Sequence, residues 1–475
     1  MKKKNNAEIE VKIPGRRGTQ GTINLANVID NADQQLFSSV FPQVQSSLGI
    51  GIVGLGSLTG VRTILQAIST PIWGWWSDRH SRKRVLSIGC FVWAIFTILI
   101  AFTFSYIDIL IYRALTGIGL AVIVPTAQSL IADYFSPKTR GKAFGWLGLT
   151  GVLGAVFGAL FATFMVSYDF ILGIEAWRFV FIVWGIISII VGILVLIFLK
   201  DPIRGEMEPE LKEVITARKA EQYRIQISDF KKIFKTKTFV LIFLQGTAGS
   251  IPWSGLTAFM ITWFQYIGYP SFFSGIIFVV LGIGAALGNL FGGWIGDKAA
   301  KWNLKRGRLI IAQISVLIGI PMTAIIFILV PMSTNSLLMY LVLGGLTGFG
   351  ISWTAGGCNN PIFSEIFPPE IRSSAYAVDR VFEGSFGALG SIFVSIVAAS
   401  FGFITPPLGT VVSDLPVDSV LRITNMQALA MGMFLVALIP WIICLILYTL
   451  VYFTYPKDYE KMRVFLENRA KKLEE

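Results

Sequence analysis

Apolar residues in this chain gather into long runs, broken by short polar and basic stretches. Runs of about 20 or more mostly apolar residues, enough to cross roughly 30 Å of hydrocarbon as helix, lie near 22–42, 51–76, 85–105, 107–134, 141–167, 176–199, 238–266, 271–296, 308–331, 336–366, 373–401 and 426–454. The pattern predicts an all-α, polytopic membrane protein of twelve transmembrane helices, six on either side of one long polar segment. The first run is not uniformly apolar. Asn27, Asp30, Asn31, Gln34 and Ser38 recur at steps of three and four, with Leu25, Val28, Ile29, Ala32, Leu36 and Val40 on the rest of the turn. One face of that helix must therefore meet water or protein rather than lipid.

The halves repeat each other. Gly74-Trp75-Trp76-Ser77-Asp78-Arg79 recurs as Gly293-Trp294-Ile295-Gly296-Asp297-Lys298, each closing an apolar run and each followed by basic residues. Leu115–Gly119 matches Leu346–Gly350, and Asp133–Arg140 matches Glu365–Arg372. Matched elements in the same order imply a duplicated bundle. The expected organisation is a cytoplasmic tail at 1–20, a six-helix bundle at 21–200, a cytoplasmic linker at 201–236, a second six-helix bundle at 237–455 and a cytoplasmic tail at 456–475. Within the linker, Ser228-Asp229 before Phe230–Phe234 reads either as a capped amphipathic helix or as a solvated connector.

Composition supports a membrane protein: 54% of residues are hydrophobic, 14% charged, and mean hydropathy is +0.67. With both termini inside, the basic residues of the short loops fall on one side, and only Arg178 and Arg422 lie outside. The formal charge of +12 then sets topology and attracts an anionic inner leaflet. Nucleic acid is not an expected partner, since no basic face carries interleaved stacking aromatics. No secretory signal precedes the first span, which is itself the insertion signal. Cys90, Cys358 and Cys444 fall inside apolar spans and read as small buried hydrophobes, and His80 lacks a ligand cluster. No metal or cofactor is expected, and the absence of a nucleophile or phosphate-loop constellation argues against an enzyme.

The pattern Gly-x-x-x-Asp-Arg/Lys followed by basic residues, present twice, together with Arg113 opening the fourth span, resembles the major facilitator superfamily across essentially the whole chain. Within it, Asn27-Val28-Ile29-Asp30, Ser129–Phe135 and Gln245–Trp253 are most similar to spinster-like transporters. Asn31 and Leu120 stand where those sequences usually carry Arg and Glu. The resemblance implies a gate built from Gly74, Asp78, Arg79, Arg82 and Arg140 in one half and Gly293, Asp297, Lys298 and Arg372 in the other. In it, Asp78 meets the start of the eleventh span near Ser373, and Asp297 the start of the fifth near Gly141. Closely spaced glycines (Gly145 to Gly158 in the fifth span; Gly284, Gly288 and Gly292 in the eighth) suggest that these two spans pack backbone to backbone across the halves. Gly56 and Gly60, with Gly384, Gly387 and Gly390, suggest the same for the second and eleventh.

Polar groups that lipid would reject mark the candidate site. Asp30 and Glu383, both near mid-membrane, are candidate coupling carboxylates, with Asp33 evenly balanced between function and structure. Asn27, Asn31, Gln34, Arg62, Arg113, Asn359 and Asn360 are candidate substrate contacts. The leading reading is a monomeric, proton-coupled secondary transporter of the cell membrane, working by alternating access on a small organic solute. Open alternatives are an uncoupled facilitator and a non-transporting receptor or scaffold. The spinster-like resemblance implies an amphipathic, lysolipid-like or sphingoid-like solute, for whose apolar tail Trp253, Trp263, Trp353 and Phe382 are suitably aromatic.

Overall fold

In hydrocarbon the backbone must satisfy its own hydrogen bonds, so each apolar run closes into helix. The computed structural model describes residues 15–135, 137–202, 233–367, 369–410, 412 and 415–474. Most of the 201–236 linker, including Ser228 to Lys232, lies outside the described residues.

The first half comprises α1 (Arg16–Ser39), a short α2 (Phe41–Leu48), α3 (Ile52–Arg79), α4 (Arg82–Ile100), α5 (Tyr106–Leu120) with α6 (Ile123–Tyr134) as one interrupted span, α7 (Pro137–Met165) and α8 (Ala176–Phe198). A two-stranded hairpin, β1 (Phe170–Ile171) and β2 (Ile174–Glu175), precedes α8. The second half comprises α9 (Lys237–Ile267), α10 (Ser271–Trp302), α11 (Gly307–Ala324) and α12 (Leu337–Ile351), which a π-turn at Ala355–Asn359 joins to α13 (Asn360–Ile366). It ends with α14 (Pro369–Gly387), α15 (Leu389–Ser400) and α16 (Val420–Glu474). Eleven described helices are long and apolar enough to cross a membrane. α1 is not among them because its polar positions lower its hydropathy, yet it packs as the twelfth span against α7, α8 and α9.

The polar positions of α1 also explain how it packs. Asn27 Nδ2 donates to Leu147 O at 2.7 Å, and α7 closes on α1 through small residues. A Cβ added at Gly154 would lie 2.8 Å from Val28 Cα, and one at Gly158 would lie 2.6 Å from Ala32 O. In the second half, α10 meets the α12 span in the same way: a Cβ at Gly288 would lie 2.8 Å from Phe349 Cα, and one at Gly292 2.8 Å from Trp353 Cβ. The glycine rows of the fifth and eighth spans thus face partners within their own halves, which corrects the expectation that they face each other. Those two spans meet instead at other positions, Gly275 tightly against Thr163 and Phe272 against Phe164.

Gly56 and Gly60 do face the other half: a Cβ at Gly56 would lie 2.6 Å from Ser391 O, and Gly60 abuts Ile392. Gly387 and Gly390 turn instead to α9, against Ser250 and Ile251, and Gly384 faces open space. Ser391 Oγ to Gly56 O (3.1 Å), Tyr266 Oη to Gln45 Oε1 (3.3 Å), Gln35 Nε2 to Thr257 O (3.3 Å) and Gly409 N to Ser46 O (2.9 Å) are hydrogen bonds that cross between halves. Among the described residues, all such bonds lie in the part of the bundle remote from the chain termini.

Two arginines brace that remote face. Arg178 donates to Ala101 O (2.8 Å) and Thr103 O (2.7 Å) beyond the end of α4, and Arg422 donates to Tyr266 O (2.9 Å) and Ile267 O (3.0 Å) at the end of α9. Each places a guanidinium where a helix leaves carbonyls unpaired. At the other face α16 continues through Pro456. Asp458 holds it there by accepting from Thr238 N (3.0 Å) and Thr238 Oγ1 (2.7 Å) at the start of α9.

Gly56→Val is expected to wedge the halves apart at the remote face. In a Ser391→Cys background it should raise labelling by a water-soluble maleimide several-fold; unchanged labelling would show that Gly56 does not control this contact.

Candidate functional site

A carboxylate buried in a membrane helix needs counter-charge, and four side chains of the first half supply one another with it. Asp30 Oδ1 lies 3.0 Å from Arg62 Nη2 and accepts from Gln66 Nε2 at 3.2 Å. Arg62 Nη1 in turn donates to Gln66 Oε1 at 3.0 Å. Asp33 Oδ2 lies 3.4 Å from Arg62 Nε and accepts from Arg113 Nη1 at 3.1 Å, and the Arg113 guanidinium sits 4.2 Å from the Phe37 ring centroid. Asp33 and Arg113 are fully buried, Arg62 is nearly so, and Asp30 keeps slight exposure. Two carboxylates and two guanidiniums balance, and they tie α1 to α3 and α5. The Asp30 partner that does not follow it in sequence, where Asn31 stands, arrives from Arg62 on the next span.

The candidate contacts therefore separate. Arg62 and Arg113 are brought together but held inside the protein. Asn27 is spent on α7, and Asn31 Nδ2 donates back to Asn27 O at 2.9 Å. Gln34 is partly exposed on the same helix. Asp33, left evenly balanced by sequence, is the hub of the network. The signal for it was Arg113, since an arginine deep in a span requires a carboxylate partner.

The second half holds a cavity of about 280 Å³ between α9, α11, the π-turn, α14 and α16. Glu383 lies against Gly246, where a Cβ would meet its carboxylate, and its Oε2 accepts from Arg380 Nη1 at 3.0 Å. Asn359 donates to Gln245 Oε1 (3.0 Å) and accepts from Tyr448 Oη (2.8 Å). Asn360 lies 3.5 Å from Arg380 Nη2. The extra residue of the π-turn is what swings Asn359 inward, a deformation often found at working sites. Of the four aromatics proposed from sequence, only Trp253 borders this cavity. Trp263 is fully buried and donates to Met426 O at 3.1 Å, Trp353 packs on Phe291 and Phe349, and Phe382 lies against Phe243. Aromatic identity alone does not distinguish cavity wall from core.

At the face carrying the termini, the halves match in charge. Arg82, opening α4, lies 2.5 Å from Asp133 at the end of α6. Arg308, opening α11, lies 3.5 Å from Glu365 at the end of α13 and 2.9 Å from Asp297. Sequence reading picked out Arg82 but not Arg308, although the Asp133/Glu365 repeat pointed to it. Asp297 is thus engaged within its own half. Arg79 stacks on Trp75 at 4.2 Å and Lys298 on Trp294 at 5.4 Å. A Cβ at Gly74 would make only an ordinary 3.6 Å contact with Pro125, so close packing is not what Gly74 supplies. Gly293 lies in α10 between the tightly packed Gly292 and Gly296. The side chains of Asp78, Arg140 and Arg372 lie outside the described residues.

This paired architecture agrees with the comparisons. The family model of the Major Facilitator Superfamily matches residues 23–391, and the chain belongs to that superfamily. It is 24% identical over 379 residues to Protein spinster of Drosophila melanogaster, covering 78% of this chain and 59% of the fly protein. It is also 24% identical over 417 residues to a putative metabolite transport protein of Bacillus subtilis, covering 81% and 86% respectively. A crystal structure of a bacterial homologue of the human lysosomal transporter Spinster, inward-facing and unoccupied, superposes with a TM-score of 0.79 at 19% identity, covering 94% of this chain and 98% of that one. That likeness shows the fold. The protein is a multi-pass membrane transporter of this superfamily, and spinster proteins are among those it is similar to.

Asp33→Asn would leave two buried guanidiniums short of counter-charge, a change expected to cost about 3–5 kcal/mol. Thermal unfolding in detergent should show a large fall in midpoint, partly recovered by adding Arg113→Met. An unshifted midpoint would mean the network carries no structural weight.

Proposed function

We propose that this protein moves a small amphipathic or anionic organic solute by alternating access, coupled to protons. The observation that supports this reading is the placement of the described hydrogen bonds between the halves. Described hydrogen bonds join them only remote from the termini, while charged and polar side chains stand at mid-depth in each half. That is the arrangement needed for a site reached from one face at a time.

Basic loop residues favour placing both termini in the cytoplasm of a cell-membrane protein, and on this reading the form described is closed toward the outside. Asp78 with Arg79 and Arg140, and Asp297 with Lys298 and Arg372, would then form the cytoplasmic latches of the opposite state, with Gly74 and Gly293 at their helix ends. Asp297 would leave Arg308 to reach α7. The boundaries at 21–200 and 237–455 would separate the two moving units, acting within a monomer.

Coupling is assigned first to Asp30. A proton there would neutralise the carboxylate and leave the Arg62–Asp33–Arg113 set with one positive charge in excess. That excess changes the attraction for an anionic or zwitterionic solute, with Asn31 and Gln34 on the same helix. Glu383 is the second assignment, with Asn359 and Asn360 beside it. A lysolipid-like or sphingoid-like cargo rests on the spinster-like resemblance.

Reconstituted into liposomes and offered a solute panel, the protein should accumulate its substrate only with a pH gradient. Asp30→Asn should abolish accumulation yet keep downhill exchange, because the amide mimics the protonated acid but cannot release a proton. Full accumulation in Asp30→Asn moves the assignment to Glu383, tested by Glu383→Gln; accumulation in the double variant removes both. Transport indifferent to the gradient would identify an uncoupled facilitator.

A further inference from the structure

The cavity of the second half has more acidic than basic side chains on its wall, in contrast to the balanced network of the first. Among the described residues its ionisable carboxylates are Asp379 and Glu383, and its only cationic side chain is Arg380. Arg380 is committed to Glu383 at 3.0 Å. Asp379, one helical turn before Glu383, is 2% exposed, borders the cavity and makes no hydrogen bond or ion pair among the described residues; its Oδ1 is fully enclosed without a partner. The neighbouring neutral groups do not help it. The Asn359 amide donates to Gln245, the Tyr448 hydroxyl to Asn359, and the Cys444 thiol to Gln245 O.

A buried carboxylate with no hydrogen-bond donor or ion pair among the described residues is costly, and a positive charge arriving from outside the chain would supply the missing partner. The rest of the wall restricts what brings it. Among the described residues no cluster of His, Cys, Asp and Glu is suited to a metal ion, and hard divalent cations need six or more oxygen ligands or retained water. The indole side chains of Trp253 and Trp441 instead border the same space, and aromatic walls favour a cation with an alkyl shell. We propose that this cavity binds the ammonium group of an organic solute, with Asp379 as its counter-ion and Trp253 and Trp441 as its apolar walls. The assignment deepens the transport reading and rests on it only for the bound molecule's being cargo.

Equilibrium binding tests it without reference to transport. Isothermal titration of the full chain in lipid nanodiscs would compare choline with 3,3-dimethylbutan-1-ol, which has the same shape without the charge. Choline should bind at least about tenfold more tightly than the alcohol. Asp379→Asn should remove that preference, and Asp379→Glu should restore part of it. A measurement on the unmodified protein guards against a misfolded variant: choline, and not the alcohol, should slow carbodiimide modification of Asp379 as mapped by mass spectrometry. No choline binding, equal binding of the two probes, or full choline affinity in a folded Asp379→Asn overturns the proposal. A carboxyl that merely holds a proton would give equal binding. Failure of the liposome panel, by contrast, would leave a positive titration standing.

Discussion

The first half is organised by one carboxylate shared between two guanidiniums. Asp33 has Arg62 on one side and Arg113 on the other, so three helices converge on a single charge. In a medium without water, Arg62 and Arg113 cannot lie inside their spans without it. The helix that supplies Asp33 must consequently be polar on one face, and it is the one span too polar to qualify by hydropathy. Its low apolarity is thus a condition of packing three charged helices together, with lipid contact left to its neighbours.

Packing within the halves differs from packing between them. Inside each half, glycine rows bring backbones together: Gly154 and Gly158 onto Val28 and Ala32, Gly288 and Gly292 onto Phe349 and Trp353. Such seams have little side-chain freedom and resist sliding. Between halves close glycine approach is described at Gly56 and Gly60 and at Gly275, and the other contacts include hydroxyl, amide and ring groups such as Ser391, Tyr266 and the Phe164–Phe272 pair. In the transport cycle proposed above, the seams within each half would hold each unit together and the seam between halves is where the units would part.

The spans, the duplication and the polar face of α1 were legible because each is written in local periodicity or repetition. Glycine spacing showed that Gly284 to Gly292 form a close-packing face, but not that the partner is α12 rather than α7. Spacing describes one helix, and a contact belongs to two. Asp33 and Arg308 were obscured for the same reason, since their partners come from other segments of the chain. Trp263 and Trp353 look like cavity walls in sequence because a ring in the core and a ring at a cavity are chemically identical. What the motifs did preserve was correspondence between halves: Asp133 and Glu365, which the repeat aligns, each pair with an arginine that opens the third span of its half.

The uninterrupted α16 has a mechanical consequence. From Val420 at the remote face it runs as one 55-residue helix to Glu474, about 80 Å at 1.5 Å per residue. Beyond Pro456 it is pinned to its own half through Asp458 and through the Lys305–Glu460 pair. A rod fixed in this way amplifies small tilts: about 5° of rocking at mid-bundle displaces its far tip by several ångströms. The final turns therefore act as a pointer, carrying the attitude of the second half into the solvent beyond the membrane.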